Sequence, residues 1–242
     1  MKKIFCFLLV SIAATGVSAQ LVFDALTFSP QFPKAGDKVT FQFTKNYSPL
    51  INEKQFDVAV YLFNNSGTKV LEPTLTRKGD TFSGNFLVDS NTNAIVFSFA
   101  SETVKDNNKG KGYVVPIYNT NQKPIISSYP IISNLASGYG EYLFGTANDV
   151  NRSMIILEEG KKLYPDYRTN LSFYDTYLNA LYSAKKKEAQ PEIITELNIL
   201  AAKTDLNEKD YTLMSNWYGR FKMKSAVDSI NAIRNQKFPD GD

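Results

Sequence analysis

Whatever chemistry this chain performs has to be done with carboxylates, hydroxyls, amides and amines, because it contains no histidine and a single cysteine, Cys6. Without imidazole there is no Ser-His-Asp or Cys-His relay and no imidazole metal site. Without a second thiol there is no redox pair and no thiolate zinc site. Neither standard spacing of a Gly-rich phosphate loop occurs. Composition still permits paired-carboxylate chemistry of the kind glycosidases use. Yet Asp and Glu fall mainly in turn sequences and on polar helix faces, and no pair stands apart. The expectation is a protein that is not an enzyme and carries no cofactor.

Three patterns have the residue types to hold a ligand or partner. Asp106-Asn107-Asn108-Lys109-Gly110 is oxygen-rich and glycine-ended, as calcium loops are, but lacks the later bidentate glutamate. The same residues are ordinary turn formers, which is the reading adopted. Lys185-Lys186-Lys187 suits an acidic surface, but it also closes a helix, where cations meet the negative end of the dipole. Finally, Tyr174, Tyr177, Tyr182, Trp217 and Tyr218 are side chains of the kind that anchor interfaces, and helical repeats bind partners along concave surfaces. These five are the candidate partner-binding residues, set against the simpler reading that they pack between helices.

The elements that would position them divide into two textures. From residue 20 to 118 the apolar residues alternate in period two: Val39, Phe41 and Phe43; Phe82, Phe86 and Val88, with Gly84 as a gap or bulge; Ile95, Phe97 and Phe99. Phe56–Phe63 and Gly112–Tyr118 add two more runs, and turn signals such as Asn64-Asn65-Ser66-Gly67 separate them. That pattern predicts an antiparallel β-sandwich with phenylalanines as its core. A stretch rich in Pro, Ser, Asn and Gly, 119–140, reads as a linker. From 141 to 242 the period is helical. Met154, Leu157 and Leu163 mark one helix, and Leu171, Tyr174, Leu178 and Leu181 a second. Pro191 opens a third, and Asn207 with Asp210 caps a fourth. A last helix is predicted over about Lys224–Lys237. The echo of Tyr164-Pro165-Asp166 in Phe238-Pro239-Asp240, about two 34-residue units later, gives this half a tetratricopeptide-like texture. The fold class is α+β with segregated domains.

The first nineteen residues read as a cleavable signal: Lys2-Lys3, an apolar run from Ile4 to Val10, and the small-residue site Val17-Ser18-Ala19. Cleavage after Ala19 removes the only cysteine and implies a periplasmic or secreted protein. No later segment has the length and apolarity of a membrane span. The net charge of +3 drops further with the leader, which argues against nucleic-acid binding.

Leu26-Thr27-Phe28-Ser29-Pro30, the run Pro33-Lys34-Ala35-Gly36-Asp37-Lys38-Val39-Thr40-Phe41, and Asp106-Asn107-Asn108 with Gly112-Tyr113 together resemble the N-terminal region of exported TlpA/ResA-like thiol-disulfide oxidoreductases. The resemblance covers essentially residues 21–242. It implies an immunoglobulin-like sandwich and a helical-repeat region, which in that family precede a thioredoxin domain. The family's Cys-x-x-Cys pair has no counterpart here, so no catalytic residue carries over. The functional expectation is a non-catalytic envelope scaffold that binds a protein partner or an adjoining thioredoxin-like domain. The alternatives are an accessory region of such an oxidoreductase, and a carbohydrate-binding or adhesion module.

Overall fold

The computed structural model describes residues 21–241; the expected signal segment, 1–19, and its cleavage site lie outside them. The chain forms β1 (Leu26–Ser29), β2 (Lys38–Thr44), β3 (Asp57–Asn64), β4 (Gly67–Leu71), β5 (Thr76–Lys78), β6 (Thr81–Leu87), β7 (Ala94–Ala100), β8 (Lys105–Asp106) and β9 (Tyr113–Pro116). The helices follow: α1 (Ser128–Asn134), α2 (Gly140–Phe144), α3 (Val150–Leu163), α4 (Leu171–Lys185), α5 (Gln190–Ala201), α6 (Glu208–Arg220) and α7 (Lys224–Lys237). Antiparallel sheets thus fill the N-terminal half and helices the C-terminal half.

Alternation builds the sheets. In β2, Val39, Phe41 and Phe43 point inward while Lys38, Thr40 and Gln42 face solvent. One sheet has the order β1-β2-β6-β5 and the other β4-β3-β7, with both β8 and β9 paired to β7. The sheets face each other across one phenylalanine-rich core. Phe43 of the first sheet stacks on Phe99 of the second with ring centroids 3.8 Å apart, and Phe41 meets Phe97 edge-on at 5.3 Å. The register of β2 with β6 runs unbroken through Gly84, so that glycine is no bulge. A Cβ there would lie 2.8 Å from the Phe41 ring, and its absence lets the phenylalanine lie flat under the strand.

The burial of β7 goes beyond alternation. In β7 both faces are covered: Ile95, Phe97 and Phe99 turn toward the other sheet, while Ala94 and Val96 turn toward helices. The outward face of the second sheet, with Phe63 and Val114, packs on Leu135 and Phe144 and on the half-buried Ile131, Ile132 and Leu143. Helical structure therefore begins at Ser128, inside the stretch 119–140 expected to be a linker. That segment has an apolar sheet face to cover, and α1 and α2 cover it. A kinked π turn, Leu135–Tyr139, joins the two helices.

The remaining helices share a second core. A Cβ on Gly160 of α3 would lie 2.5 Å from the Phe173 ring of α4, so glycine permits the close crossing of those two helices. Asn207 caps α6 reciprocally with Asp210, as the sequence predicts, and Pro191 stands at the start of α5. Among the described residues no helix is long and apolar enough to cross a membrane.

Candidate functional site

The five aromatic candidates come together in the helical core and not on its surface. Tyr174 and Tyr177 are fully buried, and Trp217 and Tyr218 nearly so. Only Tyr182 keeps partial exposure. The spacing explains this: Tyr174, Tyr177, Leu178 and Leu181 occupy one face of α4, and the face carrying two leucines is the inward one. The expectation that these rings present a concave binding surface is replaced by inter-helix packing.

Their hydroxyls nevertheless organise a buried polar cluster. Tyr167, in the turn before α4, donates to both carboxylate oxygens of Glu196 at 2.8 and 3.0 Å. Arg168 pairs with the same carboxylate at 2.7 Å. Lys161 donates to the Tyr177 hydroxyl at 2.6 Å, reaches Glu158 at 3.3 Å and stands 4.0 Å from Glu196. The Tyr174 hydroxyl is buried without a hydrogen-bond partner. Burial pushes the Tyr167, Tyr174 and Tyr177 phenols well above their usual range, so they stay protonated. Glu196, almost fully buried, thus carries Tyr167 and Arg168 on its oxygens.

The other buried acids are spent in the same way. Asp106 accepts from the Tyr113 hydroxyl at 2.9 Å and from the Asn108 amide at 3.0 Å. Asp210 accepts the Asn207 amide in the α6 cap. Around Asp106 the loop closes on itself: the Asn107 side-chain oxygen takes the Gly110 amide, and the Asn108 side chain donates to the Gly112 carbonyl. Asp106 and the Asn107 side-chain oxygen thus take backbone amides within the loop, as turn-forming residues do.

Open concavities lie elsewhere. Between α4 and α6, two adjoining depressions of about 450 and 210 Å³ share Asp175, Asn216 and Trp217. Leu171 and Leu213 line the larger one. At the other, the Arg220 guanidinium lies 4.6 Å from the Trp217 ring centre and 4.8 Å from that of Tyr182, and it donates to Asn179 at 3.1 Å. The result is a shallow groove whose floor is Leu171, Leu213 and the little of Trp217 that is exposed, with an amide and charged rim. Trp217 was among the sequence candidates; Asn179, Asn216 and Arg220 were not, because ordinary polar residues on a solvated helix face carry no distinguishing pattern.

A second concavity, of about 590 Å³, opens where β9, α1 and α3 meet. Val114, Pro116, Tyr129, Ile132, Ile156 and Leu163 form its apolar walls, with Arg152, Glu159 and Lys162 from α3 along one side. A third, of about 470 Å³, lies on the outer face of the first sheet, lined by Thr27, Ser29, Thr40, Gln42, Ser83 and Asn85 among others. No protein-family model, no curated protein and no solved structure matches the chain.

Proposed function

We propose that the protein is a non-catalytic scaffold of the cell envelope, exported with cleavage after Ala19, whose helical layer docks a protein partner in the groove between α4 and α6. The groove is the observation that carries this reading. An apolar floor of Leu171, Leu213 and the Trp217 edge, flanked by amide side chains and the Arg220 guanidinium, supplies apolar contact and hydrogen-bonding groups for a peptide backbone together, which is what an extended peptide needs. The engagement of Glu196, Asp106 and Asp210 by tyrosine, arginine and backbone supports the non-catalytic part. Within this reading the facing sheets are an immunoglobulin-like sandwich and the helices a tetratricopeptide-like array. An adjoining thioredoxin-like domain, as in the TlpA/ResA-like proteins, is one partner of the right kind.

Photo-crosslinking tests the docking. Benzoylphenylalanine placed at the exposed Asn216 is expected to give a discrete higher-mass adduct in cells that make the protein. The same probe at Tyr47, 69% exposed on the sheet half, is expected to give none. Equal labelling at both positions would sink the reading.

One observation favours a second function. The outer face of the first sheet aligns neutral hydroxyl and amide side chains in register: Thr27 beside Gln42 beside Ser83, and Ser29 beside Thr40 beside Asn85. An uncharged array of donors and acceptors fits a carbohydrate. A glycan array that stays uniformly blank for the whole protein would remove that alternative.

A further inference from the structure

The cleft between β9, α1 and α3 combines an apolar interior with a cation that forms no ion pair among the described residues. Arg152 is half-buried. Its two terminal nitrogens both donate to the Lys111 carbonyl at 3.2 Å, a neutral acceptor. Among the described residues it belongs to none of the ion pairs. Asp149, three residues before it, caps α3 and accepts the Arg152 backbone amide at 2.9 Å; its charge favours the charged guanidinium without pairing with it. Burial lowers the affinity of the guanidinium for its proton, the mark of a cation partly stripped of water. Such a group is stabilised strongly by an anion brought to it.

The other charges of the cleft are Glu159 and Lys162, both exposed. They lie about two turns further along α3, ~10 Å or more from Arg152, and they offset one another. At the Arg152 end the Asp149 carboxylate caps α3 and offsets the positive pole of its dipole, so the positive charge an anion would meet in the cleft is the guanidinium itself.

The walls decide what the anion is attached to. Val114, Pro116, Ile132, Ile156 and Leu163 offer only apolar contact. The Ser128 hydroxyl, which also lines the cleft, is spent on the carbonyls of Asn93 and Ile117. Tyr118 and Tyr129 also line the cleft, and two hydroxyls are fewer partners than the amides of an inserted peptide would need, whereas an alkyl chain needs none. From Arg152 to Leu163 the helix runs about 16 Å, room for an extended hydrocarbon of moderate length.

We infer that this cleft binds a medium-chain fatty carboxylate, its headgroup on Arg152 and its chain laid along α3 against Ile132, Ile156 and Leu163.

Calorimetric titration of the whole protein with dodecanoate below its critical micelle concentration tests this. Dodecyltrimethylammonium, with the same chain and the opposite charge, serves as the second arm, and a short peptide ending in Leu-Val carboxylate as the third. Saturable binding of dodecanoate is expected, with binding of the ammonium amphiphile weaker by about tenfold or more. Arg152→Gln is expected to abolish that preference, and Ile156→Trp, which fills the cleft, to abolish binding of the chain. Circular dichroism confirms that each variant is folded; Ile156→Trp keeps the question decidable if Arg152→Gln is not. Equal affinity for both amphiphiles, dodecanoate binding unchanged in either folded variant, absence of dodecanoate binding, or Arg152-dependent binding of the peptide alone would each overturn the assignment. The outcome is independent of the crosslinking at Asn216, since the two sites lie on different helices.

Discussion

At the scale of single residues, the acids that sequence leaves ambiguous are those that the fold commits most firmly. Glu196 is 11% exposed at its side chain and carries Arg168 at 2.7 Å, with Tyr167 on both oxygens. Nothing in the local sequence Ile194-Thr195-Glu196-Leu197 distinguishes it from a solvated helix carboxylate, because its partners lie on the turn before α4, about thirty residues away. The same distance hid Arg152, whose cleft is built from three elements separate in sequence. Tyrosine misleads in the opposite sense. Its ring suits a surface and a core equally, so the stripe on α4 gave the right periodicity and left the facing open. Replacing Glu196 by Gln leaves Arg168 as a cation in a tyrosine-lined site without its anion, while Lys161 keeps Glu158 at 3.3 Å. The expected loss is about 3 kcal/mol, the lower end for breaking a buried pair. Adding Arg168→Met should restore part of it, since the uncompensated charge then disappears. Urea unfolding of the single and double variants measures this, and a loss for Glu196→Gln below about 1 kcal/mol, as for a surface pair, would show the cluster to be solvated.

At the scale of elements, legibility follows burial. The strands with a buried alternating face, β2, β6 and β7, stand out in sequence, and so do the helices whose ends are marked by side-chain chemistry. β4 and β5 do not: Gly67–Leu71 and Thr76–Lys78 are almost wholly exposed edge strands, held by backbone pairing that leaves no hydrophobic trace. α1 was hidden for another reason. Ser127, Ser128, Pro130 and Ser133 look like a linker, yet Ser128 is fully buried and ties the end of β9 to the helix through Ile117. The clearest success is α6, read from Asn207 and Asp210 and found with both cap bonds in place, 3.2 Å and 2.9 Å. Asn207→Ala should therefore lower global stability by about 1 kcal/mol. Asn207→Asp, which keeps an acceptor at the cap, should cost much less. Denaturant midpoints at unchanged m-value test the difference, and equal midpoints for the two variants would mean the cap contributes nothing.

For the whole molecule the decisive contact is the helical layer on the second sheet. Phe63, Ala94, Val96, Leu135 and Phe144 belong to one buried cluster, so the strand β7 serves the sheet pair on one face and the helices on the other. A chain divided into two independent domains would leave that face of β7 to water, at about 25 cal/mol for each Å² of apolar surface exposed. The two halves should therefore unfold together, and the sequence supplies its own reporter: the only tryptophan, Trp217, sits in the helical core far from the phenylalanine stack. Phe99, fully buried and stacked on Phe43 at 3.8 Å, belongs to the sheet core alone. Phe99→Ala removes about 3–5 kcal/mol from that core. If β7 couples the layers, Trp217 fluorescence must report the same drop in midpoint as the sheet's own circular dichroism signal. A Trp217 transition left at its original midpoint while the sheets melt early would mean that the helical layer stands alone, and that α1 and α2 merely rest on the sheet they cover.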